Sequence, residues 1–170
     1  MEEEEIRDLF LSLFFLIQLI NMSITATKIE VSLSVHTTED IEKNMTAVIN
    51  LLEEDLVKEA NITIEELEGG YGNPIEYISM IFNKNKDIEK ILKLLASKLS
   101  QQQKKQLYDE FDERFDSEEK TYFLRINKEE IYNKRLVIAS SDNMIKITLK
   151  MRAYTSDVNY KEFLREKGIL

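Results

Sequence analysis

The stretch Met144-Ile-Lys-Ile-Thr-Leu-Lys-Met-Arg152 alternates Ile145, Ile147, Leu149 and Met151 with Lys146, Thr148, Lys150 and Arg152. Successive side chains of an extended chain point to opposite faces, so three cations share the face that the apolar residues leave. A second alternating stretch, Tyr122 to Asn127, sets Phe123 and Arg125 opposite Tyr122, Leu124 and Ile126. If the two strands are neighbours, a ring and a guanidinium join the lysines. Cations neutralise phosphates while an exposed ring stacks on an unpaired base, a combination suited to single-stranded or loop RNA. The same alternation also describes the ordinary solvent face of a one-sided antiparallel sheet.

Other segments offer less chemistry. The run Glu68-Gly-Gly-Tyr-Gly-Asn-Pro74 lacks the Gly-Lys-Ser/Thr ending of a nucleotide-binding loop and the spacing of a dinucleotide fingerprint. Its glycines are expected to supply positive φ angles for a tight connection, with Tyr71 a candidate edge contact for RNA. His36 is the only histidine and there is no cysteine, so neither a transition-metal site nor a conventional triad can be completed. Asp109, Glu110, Asp112, Glu113 and Asp116 share a helical pattern with Leu107, Phe111 and Phe115, which marks them as a solvated face rather than a magnesium site. Asn21, Asn44 and Asn61 open Asn-x-Ser/Thr triplets, which carry little weight without a secretory signal. No catalytic residue, metal or cofactor is expected.

The elements that must position these residues follow from periodicity. Ile29, Val31, Leu33 and Val35 alternate with Glu30, Ser32 and Ser34, a half-buried strand. Thr38 is read as the N-cap of a helix from about Glu39 to Leu56. Ile62 and Ile64 mark a short strand and Ile75 to Phe82 a longer one. Two helical segments follow, the first with Ile88, Ile91, Leu92, Leu95 and Leu99, the second with Leu107, Tyr108, Phe111 and Phe115; Ser100 breaks or caps between them. A strand over 122–126, a helical turn near 129–132, a strand over 144–152 and a terminal helix over 160–167 complete the order. The strands at 29–35, 75–82, 122–126 and 144–151 should share one sheet with helices on a single face.

Composition sets the frame. A chain of 170 residues with 43% hydrophobic and 32% charged residues suits one soluble globular domain, and the absence of cysteine fits a cytoplasmic setting. The net charge of −9 argues against indiscriminate coating of nucleic acid. That average hides an asymmetry: residues 1–85 hold five Lys/Arg against 17 Asp/Glu, whereas residues 86–170 hold 18 against 15. Residues 1–22 read as an extension, in which Glu2 to Glu5 precede a 12-residue apolar run from Leu9 to Ile20. A membrane span needs ~20 apolar residues and a signal peptide wants positive charge first, so no membrane role is expected. The run is expected to form a helix docked on the domain or on a second copy in a homodimer, unless Met22 is the true start. Residues 23–170 are then a single α+β domain.

The order of Val35-His-Thr-Thr-Glu-Asp40, Gly70-Tyr-Gly-Asn-Pro-Ile75, Tyr122-Phe-Leu-Arg-Ile-Asn-Lys128 and the strand from Met144 to Met151 resembles an archaeal family of small RNA-binding proteins described as predicted exosome subunits. The likeness runs from about Ile24 to Arg152. That family looks related in fold to the large-subunit ribosomal protein that contacts 5S ribosomal RNA, which implies two layers, an antiparallel-rich sheet with helices on one face. Two departures are the extension before Met22 and Gly70, where the family often has histidine. The resemblance brings no residue-level binding assignment with it. The resulting expectation is a non-catalytic RNA-binding accessory protein associated with RNA processing or an exosome. Its candidate contacts are Phe123, Arg125, Lys146, Lys150, Arg152 and Tyr71. The alternative is an adaptor that docks to proteins of an RNA-processing complex without touching RNA.

Overall fold

The computed structural model describes residues 6–13, 24–70 and 72–170. The alternating segments form a six-stranded, wholly antiparallel sheet in the order β2-β3-β1-β6-β5-β4. Its strands are β1 (Ile24–His36), β2 (Asn61–Glu68), β3 (Pro74–Phe82), β4 (Phe115–Asp116), β5 (Thr121–Asn127) and β6 (Met144–Ala153). Residues 6–13 are helical (α1). The remaining helices are α2 (Ile41–Leu52), α3 (Glu54–Glu59), α4 (Asn85–Lys98), α5 (Gln101–Asp109), α6 (Phe111–Arg114), α7 (Lys128–Tyr132) and α8 (Tyr160–Glu166). The expected docking helix over 9–20 lies largely outside the described residues.

Register follows from burial. Ile29 pairs with Phe82 and Leu149, Val31 with Met80 and Ile147, and Leu33 with Ile78 and Ile145. All nine are buried in one core with Val48, Leu51 and Leu52 of α2, Ile88, Ile91 and Leu95 of α4, Leu107 of α5 and Leu164 of α8. The helices therefore cover one face of the sheet, and the two-layer α+β expectation holds. Tyr122 belongs to this layer; its ring stacks on Phe111 with centroids 5.9 Å apart, and burial pushes its phenol far above the usual range.

Several local expectations are revised. Asp40, not Thr38, caps α2, its carboxylate accepting from the N–H groups of Glu42 at 2.8 Å and Lys43 at 3.4 Å. The single helix expected to Leu56 is broken at Glu53, whose φ of 70° lies in the left-handed region and ends α2 before α3 begins. Phe115 leaves its helix to pair with Tyr122 in β4. Ser100 caps α5 as read, in a capping box with Gln103. Of the loop glycines, Gly72 takes the positive φ, at 74°.

One ion pair ties the C-terminal ends of β1 and β5 together at the start of α7. Lys128, buried at the start of α7, donates from Nζ to Ser34 O at 2.9 Å and to Glu39 Oε1 and Oε2 at 2.8 and 3.0 Å. Glu39 also accepts from the His36 N–H at 2.9 Å. Burial alone would raise the Glu39 carboxyl, but the hydrogen bonds from Lys128 and His36 and the lysine's charge together hold it below its ordinary value. The turn after β1 is thereby tied to the end of β5. Asn50 of α2 adds a second tie, donating to Ile131 O at 3.2 Å and Tyr132 O at 2.9 Å.

Glu39→Gln strands the buried ammonium and should cost about 3 kcal/mol at neutral pH, the scale for removing one partner of a buried pair. The folded carboxyl titrates lower than the unfolded one, so its contribution is present above the ordinary value of 4.5 and is lost as pH falls through the folded value. Urea unfolding of both proteins across this range should show the difference in stability narrowing on acidification.

Candidate nucleic-acid interface

The face turned away from the helices is built by the other half of each alternation. Cross-strand partners share a face, so the register can be read as rows across the sheet. One row runs Arg125, Lys146, Ser32, Ser79, Thr63; the next runs Phe123, Thr148, Glu30, Ile81, Asn61. Below these lie Thr121, Lys150 and Lys28, and beyond a β-bulge between Ala26 and Lys28 come Arg152 and Thr25. The structure thus brings Phe123, Arg125, Lys146, Lys150 and Arg152 onto one open surface of adjacent strands. Tyr71 lies outside the described residues; its neighbours Gly70 and Gly72 stand in the β2–β3 hairpin, at the other side of the sheet.

The cations differ in how they are held. Lys146 Nζ sits 4.5 Å from the centroid of the Phe123 ring, a diagonal cross-strand pair. Such a contact contributes ~0.5–1 kcal/mol at an exposed site, little enough for a phosphate to draw the ammonium away and leave that ring face to a base. Lys150 Nζ meets Glu119 Oε2 at 3.2 Å with both side chains exposed, an arrangement worth at most about 1 kcal/mol. Arg125 and Arg152 are exposed and enter none of the ion pairs among the described residues. The centre of the face is polar and low. Ser32 and Ser79 are buried between taller neighbours, and Ser79 Oγ donates to Glu30 Oε1 at 3.1 Å.

Two residues escaped the sequence reading. Lys28 stands beside Lys150 and pairs with Glu30 at 3.1 Å, offsetting an acid near the cations. It shares the parity of Glu30, Ser32 and Ser34, but the strand was started one residue too late to include it. Tyr154 is 63% exposed just past β6, and its hydroxyl accepts from Thr25 Oγ1 at 3.5 Å. It continues the even-numbered series of Lys146, Lys150 and Arg152, which was the available signal. The open face therefore has one ring within its cation series, Phe123, and a second beyond Arg152, Tyr154.

Among the described residues no cluster of three or more His, Cys, Asp or Glu is arranged to hold a metal ion, and no helix is long and apolar enough to cross a membrane.

Residues 28–151 match the sequence pattern of a family described as RNA binding. RNA-binding protein PAB1135 of Pyrococcus abyssi is 28% identical over 130 residues, covering 76% of this chain and 84% of that one. The crystal structure of protein AF2318 from Archaeglobus fulgidus superposes with a TM-score of 0.73 at 29% identity, over 84% of this chain and 99% of that one. Protein SSO0741 of Sulfolobus solfataricus, at 21% identity, shares the fold with a TM-score of 0.65 over 82% of this chain and 93% of its own.

The face assignment makes a direct prediction. Lys146→Glu with Lys150→Glu should change the unfolding free energy by no more than about 1 kcal/mol, because both side chains stand on the solvent side. Ile147→Glu, one residue away on the helix side, should abolish the cooperative urea transition.

Proposed function

This chain belongs to the family described as RNA binding, and from that premise we propose that it holds single-stranded RNA across the β1–β6–β5 part of its open face and performs no chemistry on it. The observation that carries the reading is the single surface shared by Arg125, Lys146, Lys150, Arg152 and the Phe123 ring. The strand follows the cation series with its phosphates while one base stacks on Phe123. Tyr154 offers a second platform, and Tyr71 is an edge contact for RNA that extends toward β3. The half-buried Thr148 offers a hydroxyl to sugar and base edges rather than a nucleophile with its base, while Ser32 and Ser79 are buried beneath the strand and keep the floor low. Residues 1–22 are an extension outside the binding domain of residues 23–170, and the setting is cytoplasmic.

A second reading is favoured by the net charge of −9. On that reading the protein docks into an RNA-processing assembly, such as an exosome, through its acidic surfaces.

Charge and stacking separate in a salt titration. Lys146→Glu with Lys150→Glu should weaken binding to an unstructured RNA oligonucleotide and flatten the log-log salt dependence by about 0.7 per lost phosphate contact. Phe123→Ala should cost ~1–3 kcal/mol of binding with the slope nearly unchanged. A wild type that binds no RNA at low salt would hand the lead to the adaptor reading. Deletion of residues 1–21 should leave both the unfolding transition and the RNA affinity intact, and loss of either would place that segment inside the domain.

A further inference from the structure

The two edges of the sheet are unlike. At one end β4 is two residues long and turns at once into other structure, leaving little backbone to pair. At the other end β2 runs for eight residues, every one of them exposed. Among the described residues its outer backbone N–H and C=O groups meet no further strand of the sheet. No proline or bulge interrupts it, and Ile62, Ile64 and Leu67 are 42%, 60% and 45% exposed. A long, regular edge with uncovered apolar side chains is a template for one more strand.

Charge selects the occupant. Glu65, Glu66 and Glu68 lie on this edge, and none of them enters an ion pair among the described residues. Glu66 is moreover the direct cross-strand partner of Glu76, so two carboxylates face the same way on adjacent strands. Such a pair is unfavourable in the isolated protein and is relieved by a cation. Beside it lies a depression of about 390 Å³ lined by Val35, Ile41 and Pro74 together with Glu39, Glu66 and Glu76. Apolar walls under carboxylates suit the aliphatic stem and charged head of lysine or arginine. The Glu39 carboxylate is already engaged by Lys128, which leaves Glu66 and Glu76 to receive it. A second copy of this chain would bring three more glutamates to the same edge, and RNA would bring phosphates to it.

We propose that β2 is a docking edge for an extended, basic segment of a protein partner, which adds a seventh strand and places a lysine or arginine between Glu66 and Glu76. This surface is separate from the cationic face, so protein and RNA can be held together. The added strand gains backbone hydrogen bonds from the edge, apolar contact from Ile62 and Ile64, and orientation from the carboxylate pair.

The probe is a fluorescent ten-residue peptide with threonine at every second position and, on the other face, two lysines followed by three valines, so that in an antiparallel strand lysine meets Glu66 and Glu76 while valine meets Ile64 and Ile62 on the same face; it is compared with a peptide of equal charge in which glycine replaces the valines and threonines. Fluorescence anisotropy should show the valine peptide binding at least tenfold more tightly, because only it favours an extended, apolar-faced strand. Glu66→Gln with Glu76→Gln should weaken that binding about tenfold while leaving RNA affinity unchanged. Hydrogen exchange followed by NMR should slow at alternate amides of β2 when the valine peptide is added. Equal binding of the two peptides would reduce the effect to general attraction by an acidic protein and overturn the proposal. So would peptide binding without protection of β2, displacement of the peptide by RNA, or protection of β2 that grows with protein concentration and no peptide, which would assign the edge to a second copy.

Discussion

Burial of one face of the central strand pair fixes everything built on it. β1 lies between β3 and β6, and its residues Ile29, Val31 and Leu33 meet apolar partners on both sides. Because the side-chain period along a strand is two, sliding β6 by one residue would turn Ile145, Ile147 and Leu149 to solvent and drive Lys146 and Lys150 into the helical layer. Each large apolar side chain contributes ~1.5–3 kcal/mol on burial, so three exposed at once would remove stability comparable to the whole of a small domain's. The register of the cationic face is thus held by residues on the opposite face. Cationic surface and core are divided between alternate positions of the same strands.

The electrostatics follow from strand order rather than from net charge. The cations lie on β5, β6 and the start of β1, whereas the edge glutamates, in no ion pair among the described residues, lie on β2, three strand positions from β6. At ~4.8 Å per strand that separation is about 14 Å, beyond the roughly 8 Å over which exposed charges act at physiological ionic strength. The acids of β2 therefore screen poorly against a phosphate bound at Lys146. Glu30 and Glu119 are acids that remain close; Lys28 and Ser79 engage the first and Lys150 the second. An acidic protein can in this way present a locally cationic surface, with the wrong sign of net charge acting mainly against adventitious binding elsewhere.

The helical layer contributes position rather than contacts to this surface. Lys128 and Glu39 join the end of β5 to the turn after β1, and Asn50 ties α2 to the last carbonyls of α7. These bonds hold β5 and β1 to one rigid frame on either side of β6. The open face is presented on an already ordered backbone, so the binding proposed for it would carry no cost of ordering the protein chain.

Parity was written in the chain. The amino-acid order alone determines that Lys146, Lys150 and Arg152 share one face and that Phe123 and Arg125 share another, because the period of an extended strand needs no neighbour to define it. The Ser100 cap was legible for the same reason, being a contact between residues three apart. Thr38 and Asp40 are two capping residues only two positions apart, and composition could not choose between them. Whether the two faces become one surface was a question of pairing between strands about 25 residues apart, and only the fold answers it: Arg125 lies against Lys146, and Phe123 beneath its ammonium. Lys128 read as one more cation of a basic segment, yet it is buried on Glu39, a partner 89 residues away. The exposed edge at Ile62 and Ile64 was equally hidden, since an apolar alternation marks a strand but not whether a helix or another strand will cover it. Local periodicity is a property of the chain, whereas adjacency and coverage are settled by which distant segments exclude water together.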